Sequence, residues 1–201
     1  MTDESIIRGV DQLQNRMSMT RATEAMVKKQ DAEIIAAIIA GATLTVPVGV
    51  GSEWDTAAGD PESDIVDARQ EIMDHSNISS AEIRNLALLV GTNISGVLLK
   101  QMMINNVVTR LSDYLQTSFG ITLYETRDAH LIDTAVLMVI GEQTGVHGVY
   151  TGGAVPLVEE TRIPGVGTEY LVTKYFKSKI APDSSTVATS SRICTLTNTH
   201  S

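Results

Sequence analysis

The side chains able to do chemistry in this 201-residue chain are few, and their spacing keeps them apart. The histidines, His75, His130, His147 and His200, form no HExxH pair, and a single cysteine leaves no Cys/His set for zinc. Each histidine therefore reads as an ordinary loop or helix-end residue. Asp60, Glu62, Asp64 and Asp67 are the densest acidic group and could offer oxygen ligands to a divalent cation. Their spacing is not that of an EF-hand, and acids at a helix start are already explained by the helix dipole. Glu159 and Glu160 are adjacent, so a strand sends them to opposite faces; they suit a charged strand edge facing a neighbouring subunit better than a glycosidase pair. Gly49-Val50-Gly51 and Gly165-Val166-Gly167 begin like dinucleotide loops, but Trp54 and Tyr170 stand where a third glycine belongs. There is no Walker loop and no GxSxG elbow. Cys194, within Arg192-Ile193-Cys194-Thr195-Leu196, reads as a small apolar strand residue, and alone it can form no intrachain disulfide. No catalytic residue, metal site or cofactor is expected, and an enzyme is the weaker class of function.

Composition narrows the remaining classes. Hydrophobic residues make up 43%, charged residues 19% and aromatics only 4%, so the core must be built from aliphatic side chains. The length suits one well-buried domain, or two lobes sharing a core. A net charge of −9 argues against a dedicated nucleic-acid binder, which needs clustered Lys and Arg. From residue 163 onward the balance turns positive, with Lys174, Lys177, Lys179 and Arg192 against Glu169 and Asp183. That tail is either a solvated strand face or an inward surface tolerant of DNA. The polar N-terminus carries no signal-peptide core, and no apolar run approaches the roughly 18 residues of a membrane span. A soluble protein made in a reducing, intracellular compartment is expected.

These sparse groups hang on a definite order of elements. Residues 4–40 hold no proline and one glycine, Gly9, which predicts a long helix, either continuous as a spine or broken near residues 15–18 into a hairpin. Gly41 ends it, and Pro47 confines the following extended segment to an edge or loop. Asp60 is placed to cap a helix with Pro61 in its first turn, running to about His75 with Ile65, Ala68 and Ile72 on its apolar face. Ser79 and Glu82 mark a short turn. Residues 86–90 read as a strand covered on both faces and stopped by Gly91. Thr92 or Asn93 can cap a helix with Ile94, Leu98 and Met102 in step, and Val107, Val108, Leu111, Tyr114 and Leu115 mark another, closed by Gly120. Strands are expected at 121–125, 135–140, 155–162, 169–177 and 186–197, with turns at Pro164-Gly165 and Pro182-Asp183. Gly145, Gly148, Gly152 and Gly153 are read as loosening the backbone between them. The architecture expected is α+β, with helices beside a central sheet.

The order from Ser52-Glu53-Trp54-Asp55-Thr56 through Asp60-Pro61-Glu62-Ser63-Asp64 to Asn85-Leu86-Ala87-Leu88-Leu89-Val90-Gly91, then Leu98-Leu99-Lys100, Phe119-Gly120-Ile121, residues 134–140, Glu159 and Tyr170, resembles the major capsid proteins of tailed bacteriophages. That fold is shared with encapsulins and herpesvirus capsid floors. The resemblance covers about three quarters of the chain. It implies a spine helix and edge segment of a peripheral domain in residues 1–53, a helix and axial α/β domain in 54–154, and closing peripheral strands in 155–201. It also implies a shell subunit of the virion that associates with itself as hexamers and pentamers, encloses double-stranded DNA without sequence preference, and meets a second capsid, scaffold or decoration protein but no membrane. Trp54 is then an anchor near the spine, Leu98, Leu111 and Leu115 are axial core, and Glu159, Arg162, Lys174 and Arg192 are charged edges for neighbours or DNA. Family members usually carry an N-terminal arm and an extended β-hairpin loop ahead of the spine helix. Here the helix starts almost at Met1, so neighbours are clasped differently or another polypeptide supplies those parts. An encapsulin-type compartment and a small α/β enzyme or ligand-binding domain are the alternative readings.

Overall fold

The computed structural model describes residues 3–76, 78, 82–104, 110–141, 143–150, 157–163, 167–173, 175–183 and 189–200. Helix α1, Asp3–Ala40, runs 38 residues without a break, about 57 Å at 1.5 Å per residue. The hairpin alternative therefore falls: residues 15–18 hold no proline or glycine, and the modest propensities of Asn15 and Ser18 do not break the helix. Thr20 and Thr23 even turn their hydroxyls back onto the carbonyls of Arg16 and Met19, staying inside the helix. Gly41 closes it, donating its amide to the Ala37 and Ile38 carbonyls.

The chain forms two compact units, Met1–Glu33 with His147–Lys177, and Ile34–Val146 with Ser178–Ser201. The second is built on a five-stranded sheet. Strand β1 (Ala42–Pro47) lies at one edge, as Pro47 requires. Helix α2 (Pro61–His75) follows, its N-terminus capped by Asp60, whose carboxylate accepts from the Ser63 amide at 3.2 Å. Pro61, Ile65, Ala68 and Ile72 are buried along one face. After the 3₁₀ turn Glu82–Arg84 come β2 (Leu86–Gly91), α3 (Thr92–Ile104), α4 (Leu111–Phe119), β3 (Ile121–Thr126) and β4 (Thr134–Val139). Helix α3 starts at Thr92, directly after the strand, so Asn93 lies inside it; the Asn93 amide instead donates to the Ile132 carbonyl. Gly120 ends α4 in the left-handed region, φ 69°, where a side chain is unfavourable.

Four further strands complete the set: β5 (Gly145–Tyr150), β6 (Leu157–Ile163), β7 (Gly167–Thr173) and β8 (Tyr175–Ile180), before β9 (Ser190–Thr197). The order in the large sheet is β1-β9-β4-β2-β3. β1 runs parallel to β9, β2 runs parallel to β3, and β4 is antiparallel to both β9 and β2. The last strand is thus threaded between the first and the fourth, which no local signal reveals. The expected strand 169–177 is really two, β7 and β8, belonging to different two-stranded sheets, β6-β7 and β5-β8. β5 was not anticipated. Gly145, taken for a loosener, allows a close approach: a Cβ there would sit 2.9 Å from the Lys179 carbonyl of β8. Pro164-Gly165 and Ser79 lie outside the described residues.

Successive strand residues alternate between the two faces of the large sheet. One face, with Leu44, Leu86, Leu88, Ile121, Leu137, Cys194 and Leu196, packs under α2, α3 and α4 together with Trp54, Ile65, Ile72 and Ile94. The other, with Val136 and Ile193, receives Ile35 and Ile38 from the last turns of α1.

Candidate assembly surfaces

The peptide between β1 and α2 is held by its backbone. Val48 donates to Thr197, Ser52 to Gly49 in a turn that puts Gly51 at φ 83°, and Trp54 to Thr199 at 3.1 Å. Trp54 is fully buried, and its indole Nε1 donates to Asp64 Oδ2 at 2.7 Å, so this candidate serves as an anchor inside its own subunit. Burial pushes the Asp64 carboxyl above its ordinary value; the indole hydrogen bond opposes this, while Asp60 and Asp67 add to it. The rest of the acidic group has local work: Asp60 caps α2, and Glu62 accepts from the Tyr114 hydroxyl at 2.8 Å. Leu98, Leu111 and Leu115 are buried as expected, and with Ile65 they floor a depression of about 390 Å³ rimmed by Asp60, Glu62 and Tyr114.

Arg192 on β9 is enclosed and committed. Its guanidinium donates to Glu82 Oε1 and to Gln143 Oε1, both at 2.8 Å, joining the 3₁₀ turn and the turn after β4 to β9. Glu159 is exposed on β6, opposite Leu171, and the Arg162 backbone stands opposite Thr168 in the same ribbon. The structure thus places Glu159 and Arg162 in one unit and Trp54 and Arg192 in the other. The Arg162 side chain and Lys174 lie outside the described residues. Cys194 is fully buried between Leu44 and Leu137 in register, and burial pushes its thiol up to about 12, which keeps it protonated and unreactive.

His75, His130 and His200 occupy ends and loops as expected, whereas His147 lies within strand β5. His75 sits in the last turn of α2 against Glu71, and His200 lies 3.9 Å from Asp55. His130 lies against Asp128, whose Oδ1 takes the His130 backbone amide at 2.9 Å and stands 2.6 Å from its ring nitrogen. Burial pushes the Asp128 carboxyl upward, but those two hydrogen bonds and the imidazole charge outweigh it and hold the group below its ordinary 3.8. A depressed carboxylate contributes stability that is complete above the unfolded value and disappears as pH falls through the folded one. Acid titration of unfolding should therefore show a loss below about pH 3.8 that Asp128→Asn abolishes. At neutral pH the same variant should cost about 1 kcal/mol, read from the urea midpoint.

One surface had no signal that pattern reading weighed. On the α1 side of the sheet, Tyr124 of edge strand β3 is 51% exposed beside half-buried Leu89, its register partner. The alternation in Ile121-Thr122-Leu123-Tyr124 shows which residues share a face; it does not show how far α1 covers them.

The sequence pattern of the phage capsid protein family matches residues 1–189, and the chain belongs to that family. Two solved structures share its mixed helix-and-sheet, capsid-like fold. The crystal structure of a phage-related protein from Bordetella bronchiseptica RB50 is 14% identical with a TM-score of 0.67, covering 91% of this chain and 66% of that one. The virus-like particle from Pyrococcus furiosus is 17% identical with a TM-score of 0.58, covering 88% and 64%. The chain spans about two thirds of the length of these structures. No curated protein matches the sequence. No helix among the described residues is long and apolar enough to cross a membrane.

Proposed function

We propose that this chain is the major head protein of a tailed double-stranded DNA phage or prophage, a structural subunit that assembles with copies of itself into the virion shell. The observation that carries the reading is the capsid family match along residues 1–189, in a chain that forms a 38-residue helix and a five-stranded sheet. Asp60, Asp64 and Arg192 are engaged in capping, buttressing and ion pairing within the subunit, which suits a structural role. A shell gains persistence from many modest contacts repeated by symmetry. Hexamers and pentamers are the expected capsomers, with a second capsid, scaffold or decoration protein as further partner and DNA enclosed without sequence preference.

The peripheral and axial roles of residues 1–53, 54–154 and 155–201 belong to this proposal, with the qualification that one sheet takes strands from all three. Glu159, Arg162 and Lys174 are the proposed charged contacts to neighbours or DNA, while Trp54 and Arg192 hold the subunit that presents them. Expression of the chain, alone and with its neighbouring gene products, followed by size-exclusion chromatography and electron microscopy, tests the reading. Capsomers or closed shells are expected. A compact monomer under both conditions would end it, and shells holding protein cargo without nucleic acid would favour an encapsulin-type compartment.

A further inference from the structure

We propose that strand β3 and its exposed Tyr124 form a head-to-tail contact with strand β1 of a second copy of this chain, extending the sheet from subunit to subunit; this rests on the capsid reading. β3 ends the five-stranded sheet and pairs with β2 over its whole length without a bulge, from Leu86↔Ile121 to Gly91↔Thr126. Sheet edges are usually protected by lysine, proline or a bulge, and β3 has none of these. Its charged residue, Glu125, accepts from Ser95 Oγ at 2.7 Å, so the charge is engaged within the subunit. The outer amides and carbonyls of β3 therefore lie beside Tyr124, a 51% exposed aromatic of the kind that anchors interfaces, with Leu89 inward of it on β2.

The other end of the sheet supplies the complement. β1 is the opposite edge, and among the described residues no strand pairs with its outer side between the bulge at Ala42/Leu44 and Pro47. Parallel pairing of β1 with β9 and of β2 with β3, with β4 opposed to both, makes β1 and β3 run in the same direction. A simple rotation can thus set the β1 of one copy beside the β3 of the next in a parallel ladder. The contact is heterologous and repeats. Area favours a copy in a lattice over a lone foreign partner. The bulge-free, proline-free stretch of β1 is about 10 Å long, so the contact buries at most a few hundred Å², less than the roughly 800 Å² per partner of a stable complex. Such a contact persists only when many copies hold one another.

The test uses the full chain with any partner polypeptide its assembly needs. Tyr124→Lys should keep the wild-type unfolding midpoint and reduce particles at least tenfold by chromatography and microscopy. Thr45→Cys combined in turn with Thr122→Cys, Tyr124→Cys or Thr126→Cys samples the registers that share a face. One pair should give a ladder of disulfide-linked oligomers on mild oxidation, while each single variant stays monomeric under denaturing conditions. Cys194, buried and protonated, adds no background. Wild-type particles together with normal Tyr124→Lys assembly, no crosslink from any pair, or dimers from Thr122→Cys alone would overturn the edge contact while leaving the shell reading intact. A wild type that never assembles would remove both.

Discussion

Trp54→Ala should lower the unfolding free energy by about 3–5 kcal/mol, the cost of removing a large aromatic from a filled core. Against a total of about 5–15 kcal/mol for a typical domain, that leaves a subunit close to its folding threshold. The indole is fully buried, belongs to the core under α2 to α4, and carries a 2.7 Å hydrogen bond to Asp64. Two neighbouring variants separate packing from hydrogen bonding. Asp64→Leu keeps the indole but removes the hydrogen bond that Asp64 accepts from it, for a loss of about 1 kcal/mol. Asp64→Asn retains an acceptor and should be much milder. The Asp64 carboxyl is raised, so its ionisation costs the folded state stability as pH climbs from the unfolded value of 3.8 through the folded one. Asp64→Asn should remove that decline, the opposite sign to Asp128. Urea midpoints of the unassembled chain measure the whole set. A Trp54→Ala midpoint within error of wild type would refute the anchor role.

How much of this was readable before any coordinates depended on the range of the interaction. Asp60-Pro61 is a local instruction, since a carboxylate capping a free amide and a ring fixing φ act within one turn, and α2 starts there. Pro47 names an edge because it lacks a donor, and β1 is an edge. Residues 86–90 are aliphatic on both parities because both sheet faces are covered, by α2 to α4 on one side and α1 on the other. The division into β7 and β8 was hidden because the two form one β-prone run in sequence whose partners lie in different sheets. The insertion of β9 between β1 and β4 joins residues some 150 positions apart, as in the Thr45 to Thr195 hydroxyl contact, and no periodicity encodes it. The proposed site divides the same way. Trp54 was singled out by being the lone tryptophan, whereas the 51% exposure of Tyr124 is set by packing outside its own strand, which alternation does not encode.

Gly91 sets up the second large effect. It ends β2, and α3 begins at the next residue, so the chain turns there with no loop to absorb strain. A Cβ at this position would lie 2.2 Å from the Leu131 carbonyl oxygen and 2.5 Å from Asn93 Oδ1. The first of these is backbone, in the 3₁₀ turn Ala129–Leu131 that Asp128 caps, and Leu131 itself is fully buried. A flexible side chain could swing aside; a capped turn with a buried leucine must move as a body. Gly91→Ala should therefore cost about 3 kcal/mol, the upper end of overpacking penalties, although alanine is otherwise the mildest replacement. The displaced turn also carries Ile132, whose carbonyl accepts from the Asn93 amide, so strain should reach the start of α3. Hydrogen exchange of the amides around 92–95 and 129–133 should accelerate together in Gly91→Ala while β9 stays protected. Unchanged exchange at both segments would mean that glycine is kept at 91 for a reason other than this close approach.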